Sequence, residues 1–179
     1  MRIISGKYKS RRFDIPKNFN ARPTTDFAKE NIFNVIGNLI DLEEASALDL
    51  FAGTGSIGFE LLSRGCREVI CVEKDPVHYA FIKKVKDELK TDRLQAIRVD
   101  ALKYIASVDR TFDFIFADPP YAFKQIPQIP EYILSHHLLN SNGVFVMEHP
   151  KEHDFSHLPG FSQRRVYGAV NFSIFENFK

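Results

Sequence analysis

The chain has no tryptophan, only two cysteines and two methionines, and almost no net charge, with 24 Lys and Arg set against 23 Asp and Glu over 179 residues. Each shortage removes a class of protein. Cys66 and Cys71 stand five apart, which is neither a disulfide framework nor the Cys-x-x-Cys spacing of a zinc site. The expected setting is reducing. No stretch approaches the ~20 apolar residues of a membrane span, and the first residues carry charge where a leader would carry an apolar core. A soluble, cytoplasmic protein with no membrane partner is expected. Near-neutrality excludes a polycationic nucleic-acid coat and an acidic disordered tail as descriptions of the whole.

What is present is one domain's worth of chain, 44% hydrophobic, with its charge unevenly spread. Up to Glu30, eight cations (Arg2, Lys7, Lys9, Arg11, Arg12, Lys17, Arg22 and Lys29) face Asp14, Asp26 and Glu30, so this stretch carries +5 and the remainder −4. A basic arm precedes a mildly acidic body. Residues 1–16 alternate apolar and basic side chains around Gly6, which suits a short two-stranded ribbon with one cationic face. Thr24, Thr25 or Asp26 can then cap a helix whose apolar positions Ala28, Ile32, Phe33, Ile36, Leu39 and Ile40 recur at helical spacing.

From Ala45 onward, strand-like runs at 47–51, 68–73, 95–99, 112–117 and 144–148 alternate with helical ones, the pattern of βαβ crossovers and a mostly parallel sheet. Gly65 reads as the residue after a helix end, and Asp75-Pro76 as an N-cap followed by an N1 proline. Runs at 163–167 and 171–175, separated by Gly168-Ala169, predict an antiparallel hairpin at the sheet edge.

Two motifs carry chemistry. Asp49-Leu50-Phe51-Ala52-Gly53-Thr54-Gly55 leaves a strand, turns on glycines and enters a helix, with Gly58 completing G-x-G-x-x-G. Glycines let backbone approach a ligand, and Glu73, ending the next strand, can accept two hydrogen bonds from vicinal ribose hydroxyls. Asp100, directly after the third strand, is placed to accept from an adenine amino group. Asp49 can face the amino-acid end of a ligand such as S-adenosylmethionine, whose ammonium and sulfonium are both positive. An acidic pocket suits a cationic cofactor.

The second motif, Asp118-Pro119-Pro120-Tyr121, follows the fourth strand-like run. Successive prolines fix φ and remove two donors, so the cleft presents acceptors only. An exocyclic amino group needs acceptors only: the Asp118 carboxylate and the Pro119 carbonyl can each take one N–H, Tyr121 offers a face for stacking, and Asp118 can receive the released proton. The motif permits guanine-N2 and adenine-N6 methylation alike, in RNA or in DNA. A NAD-dependent oxidoreductase would use the glycine loop and leave Asp118 to Tyr121 without a task.

These motifs resemble the class I S-adenosylmethionine-dependent methyltransferases that modify base amino groups. Residues 1–9, then Arg22-Pro23-Thr24-Thr25-Asp26 and the segment 50–65 are similar more narrowly to the bacterial 16S ribosomal RNA guanine-N2 methyltransferase family (RsmD-like), nearly over the full length. The resemblance implies a Rossmann-like α/β fold with a seven-stranded sheet and a single domain over 1–179, a basic extension at 1–23 preceding a catalytic core at 24–179. It implies S-adenosylmethionine bound through Asp49, Phe51, Ala52, Gly53, Thr54, Gly55, Glu73, Lys74, Asp100, Ala101 and Asp118, and catalysis at Asp118, Pro119, Pro120 and Tyr121. The expected partner is 16S ribosomal RNA, within the small subunit or an assembly intermediate, met by a monomer. The chain has no room for an added recognition domain, so Lys7, Lys9, Arg11, Arg12, Arg22 and the loop 122–130 are the candidate contacts. His149, His153 and His157 are spaced by four, but Pro150 and Pro159 interrupt the helix a shared metal would need; they are expected in surface loops and no metal is assigned.

Overall fold

A computed structural model describes residues 1–20 and 24–178. The first helix, α1 (Asp26–Leu39), starts where Thr25, in extended conformation, accepts the Ala28 N–H at 3.2 Å. It buries Ala28, Ile32, Phe33 and Ile36, the stripe expected from the spacing. Seven strands follow in one sheet: β1 (Ser46–Leu50), β2 (Glu68–Val72), β3 (Leu94–Ile97), β4 (Phe112–Ala117), β5 (Leu139–His149), β6 (Phe161–Tyr167) and β7 (Val170–Glu176). Their spatial order is β3-β2-β1-β4-β5-β7-β6. The first five are parallel, and β7 runs antiparallel between β5 and β6. The fold is the seven-stranded, mostly parallel sheet with an antiparallel C-terminal hairpin.

Helices α2 (Ser56–Ser63) and α3 (Pro76–Leu89) share one face of the sheet with α1, while α4 (Ala101–Ser107) and α5 (Ile129–Ser135) cover the other. Sheets covered on both sides need strands apolar on both sides, and β1 is buried throughout its length. Asp75 caps α3 by accepting from Val77 and His78, and Gly65 follows the end of α2 with φ +108°. β5 is longer than the apolar run at 144–148 because it begins at Leu139, passes through polar residues, and meets β4 with a register shift between Phe112 and Phe114.

The N-terminal ribbon is present as a single antiparallel bridge between Arg2 and Arg12, flanked by Ile3 N–H donating to the Arg11 carbonyl and Phe13 N–H to that of Met1. Ile3 and Phe13 enter the same core as α1 and α2. Residues 2–7 of the arm lie along α2 in parallel sense. The Arg2 carbonyl accepts from Lys29 Nζ, which also reaches Ser56 at the start of α2; the Ile4 and Ser5 amides donate to Glu60; and the Lys7 amide donates to the Ser63 carbonyl at its end. Lys29 and Glu60 are both fully buried and paired at 3.2 Å, with Arg64 closing on the second Glu60 oxygen at 2.8 Å. Burial alone would lower the lysine's pKa and expel its charge; Glu60 opposes that.

Candidate active site

The strand order reverses between β1 and β4, and crevices at such points lie outside the carboxyl ends of the strands. Both motifs leave the sheet there. The glycine loop leaves β1: Phe51 takes φ +56°, Gly53 +58° and Gly55 +77°, and Gly55 becomes the N-cap of α2. A non-glycine residue in the left-handed region is uncommon, and such strain concentrates at ligand sites. Phe51 meets Phe123, from beyond the second motif, edge to face at 5.5 Å. Inside the loop, Ala52 N–H donates to the Val72 carbonyl, and the buried Thr54 hydroxyl accepts from Ser56 N–H.

Glu73 stands just past β2 and accepts Gly53 N–H at 2.8 Å on one oxygen and Asp75 N–H at 3.0 Å on the other. A carboxylate oxygen can accept twice, so this arrangement fixes Glu73 beside the loop while leaving capacity for ribose hydroxyls. Asp100 caps α4 through Lys103 N–H, with Ala101 buried as the first helical residue; Lys74 is exposed. The three consecutive strand ends thus present the loop, Glu73 and Asp100 along one rim.

Asp49 corrects its sequence expectation. It points with Ala47 toward α2, is 1% exposed, and its Oδ2 accepts Gly58 N–H at 2.9 Å. It lies behind the loop and secures the first turn of α2, because strand alternation aims it into the helix-covered face. Burial, reinforced by Glu73, pushes its pKa up to about 8, against the opposing pull of the Gly58 N–H. The packing is tight: a Cβ on Gly58 would sit 2.4 Å from Cys71 Sγ.

The second motif extends β4, with Asp118 N–H donating to the Leu50 carbonyl at the end of β1. Asp118 is half-buried, Pro119 buried, Pro120 exposed and Tyr121 44% exposed at the rim. Sequence reading missed what lies beside them. Ala117 pairs with Met147 in register, so the next position on each strand brings Asp118 beside Glu148 at the end of β5. Glu148 is 6% exposed, and its side chain shares a hydrogen bond with Asp118. Burial and the Glu148 charge hold the Asp118 carboxyl well above the usual carboxylate range. Two carboxyl groups bond to each other only with a proton between them. Thr24, considered above only as a cap, donates its hydroxyl to Glu148 Oε2 at 3.1 Å. The available signal was that both Asp118 and Glu148 close apolar strand runs.

Phe19 and Thr24 stand on opposite sides of this crevice. Phe19 stacks on His78 at 3.8 Å between ring centroids, on α3 beside Glu73, and Thr24 reaches Glu148 two strands beyond β1. Lys7, Lys9, Arg11 and Arg12 are all exposed, but they do not share one end: Arg12 is bridged to Arg2 at the α2 end nearest the glycine loop, while Lys7 lies at the opposite end, roughly 12 Å away for an eight-residue helix. Arg22 lies outside the described residues. The loop at 122–130 is partly packing, since Ile126, Ile129 and Pro130 are buried. His149 is no surface residue. It is fully buried, its Nδ1 on the Pro150 carbonyl and its Nε2 on Ser173 Oγ, and burial lowers its pKa.

The family described as Conserved hypothetical protein 95 matches residues 1–176. The chain belongs to this family. A Bacillus subtilis (strain 168) protein provisionally named rRNA methyltransferase YlbH is 36% identical over 98% of each chain. Ribosomal RNA small subunit methyltransferase D of Haemophilus influenzae is 28% identical over 99% of this chain and 94% of its own. A solved structure of a hypothetical protein from Thermus thermophilus superposes with a TM-score of 0.86 at 25% identity, over 98% of this chain and 99% of that one.

Proposed function

We propose that this chain transfers the methyl group of S-adenosylmethionine to the exocyclic N2 of a guanine in 16S ribosomal RNA, acting as a monomer on the small subunit or an assembly intermediate. The observation that carries this reading is the placement of Asp118 and Pro119 at the carboxyl end of β4, next to the glycine loop that leaves β1. The curated relatives named as ribosomal RNA methyltransferases support the substrate class.

The residues present fit the cofactor. Positive-φ glycines and Glu73 suit a nucleoside edge, and Asp100 an adenine amino group. The acidic side chains of Asp118 and Glu148, side by side at the strand ends, suit a cation such as a sulfonium, which would favour their ionised forms. When bound, the cofactor supplies an electrophilic methyl group. Asp118 and the Pro119 carbonyl orient the target nitrogen by accepting its N–H groups, and both contacts strengthen as positive charge builds on that nitrogen. Tyr121 stacks on the base. No covalent enzyme intermediate is needed; alignment and charge stabilisation perform the work. The basic arm meets phosphates.

Mass spectrometry of ribosomal RNA from cells with and without the gene tests the reading directly. Loss of one N2-methylguanosine on deletion is expected; loss of an N6-methyladenosine would reassign the base. Asp118→Ala should lower tritiated methyl transfer by roughly 10²-fold or more. Stabilisation by NADH, with none by S-adenosylhomocysteine, would overturn the cofactor assignment.

A further inference from the structure

Beyond Glu148 the sheet register continues toward the edge. Glu148 on β5 pairs with Phe172 on β7, and Phe172 pairs with Arg165 on β6, so the three side chains stand on one face of the sheet in a line leading away from Asp118. The turn between β6 and β7 lies at the carboxyl end of β5, the end that carries the candidate active site, and Tyr167 closes β6 there on the same face as Arg165. Phe27 meets it from α1. The two rings stand edge to face at 6.3 Å, and Tyr167 is braced in turn by the buried Phe172 at 6.1 Å, itself 6.3 Å from Phe116 on β4.

Phe27 is 64% exposed, and α1 has no need of a phenylalanine there. It is the second residue of the helix, where acidic or small polar side chains serve the open amide groups. A hydrophobic staple at this cap would join positions 24 and 29, which are Thr24 and Lys29, so Phe27 takes no part in one. An apolar ring supported on one side and open on the other offers a face for stacking. Two rings cover far less than the ~800 Å² that each partner of a stable protein complex buries, whereas one aromatic face matches one unpaired base. Charge agrees with a nucleotide. Asp26, beside Phe27, is paired with Arg2 at 2.9 Å, and Arg165, exposed on β6, gives its Nε to Gln163 and has further donors for a phosphate.

We infer that Phe27, supported by Tyr167, stacks an unpaired base of the RNA close to the target guanine, with Arg165 on a phosphate of the same strand, and so sets the path by which that strand leaves the active site. This rests on the RNA reading given above. β6 stands three strand spacings from β4, roughly 14 Å, so the base on Phe27 is a neighbour of the one held at Asp118 and not that base itself. The α1 side keeps the two sites in one assembly: Thr24 bonds Glu148, and Phe27 follows three residues later. Stacking on an aromatic ring accepts any base. The platform therefore fixes where the strand runs, while Asp118 and the Pro119 carbonyl address the reacting nitrogen.

The test is methyl transfer by the full chain to small-subunit particles from cells lacking the gene, with the particle concentration varied. Phe27→Ala and Phe27→Leu should each raise KM for the particle by roughly 10-fold, with kcat and the affinity for S-adenosylhomocysteine unchanged, and Phe27→Trp should restore KM. Arg165→Ala should lower the salt slope of particle binding by about 0.7. A photoreactive benzophenone side chain placed at position 27 should label a nucleotide near the methylated guanine. Leucine serving as well as phenylalanine overturns the proposal, as does label on a ribosomal protein or on a second copy of this chain. So does an unchanged KM in Phe27→Ala, or a matching loss of cofactor affinity, which would make the residue part of the scaffold. Failure of the unsubstituted chain to methylate the particle would instead overturn the functional reading, and this proposal with it.

Discussion

Thr24 donates its hydroxyl to Glu148 Oε2 at 3.1 Å across 124 residues of chain, tying the end of the basic arm to the acid beside Asp118. A hydrogen bond to a charged acceptor stabilises the ionised form by about 1.5–3 kcal/mol. Thr24→Val keeps the shape and removes the donor, so Glu148 should take up a proton more readily. The acidic limb of the pH–rate profile should move upward by on the order of one unit. An unmoved limb would show that Thr24 serves only to lead the chain into α1.

Asp49 sets a second pH dependence, this time of stability. Its folded pKa of about 8 lies above the unfolded value of 3.8, so between these pH values the native chain binds more protons than the unfolded one. Stability therefore falls as pH rises through that window, with a slope of at most about 1.4 kcal/mol per unit for this one group. Asp49→Asn can still accept the Gly58 N–H and should flatten the slope. Urea denaturation between pH 5 and pH 8 measures it; equal slopes in the two proteins would exclude Asp49 as a source.

Gly58 should tolerate no side chain. A methyl group there would lie 2.4 Å from Cys71 Sγ and 3.2 Å from Asp49 Oδ2. Gly58→Ala should cost about 1–3 kcal/mol and lower Tm by ~2–4 °C for each of these. Because the clash is with one sulfur, adding Cys71→Gly should make the pair's combined loss smaller than the sum of the two single losses. Strict additivity of the melting shifts would place the strain elsewhere.

The arm gives a comparison between two cations of equal charge. Arg12 lies at the end of α2 near the glycine loop and Lys7 at its far end. If RNA enters the crevice, Arg12→Ala should reduce the salt slope of binding by about 0.7–0.9, and Lys7→Ala by less. Cofactor affinity should not change in either. Equal effects on the slope would mean that RNA runs the full length of α2.

The features legible in the sequence are the local ones. Gly65, Asp75-Pro76 and the apolar stripe of α1 each act within a few residues of chain, and each predicted what is found. The glycine loop and Asp118-Pro119-Pro120-Tyr121 were legible because a strand followed by a turn places its last residues at the rim. Glu148 was not, since its partner is set by the pairing of β4 with β5, and that register contains a shift no local pattern marks. Lys29 looked like one more cation of the arm; its burial depends on Glu60, met only once α1 packs on α2. His149 was misread for the same reason, its Ser173 partner lying on β7, which returns from the edge strand β6 to pair with β5.

The arm's two apolar anchors decide how RNA affinity can be studied in this protein. Ile3 and Phe13 are buried, and the Ile4 and Ser5 amides supply Glu60 with two of its hydrogen bonds. A truncation meant to strip away the cationic residues would also expose two core side chains, at about 1.5–3 kcal/mol each, and leave a buried anion short of donors. Loss of activity in a shortened chain would then report a damaged scaffold. Only charge-by-charge replacement, with the apolar anchors left in place, separates what the arm touches from what it holds up.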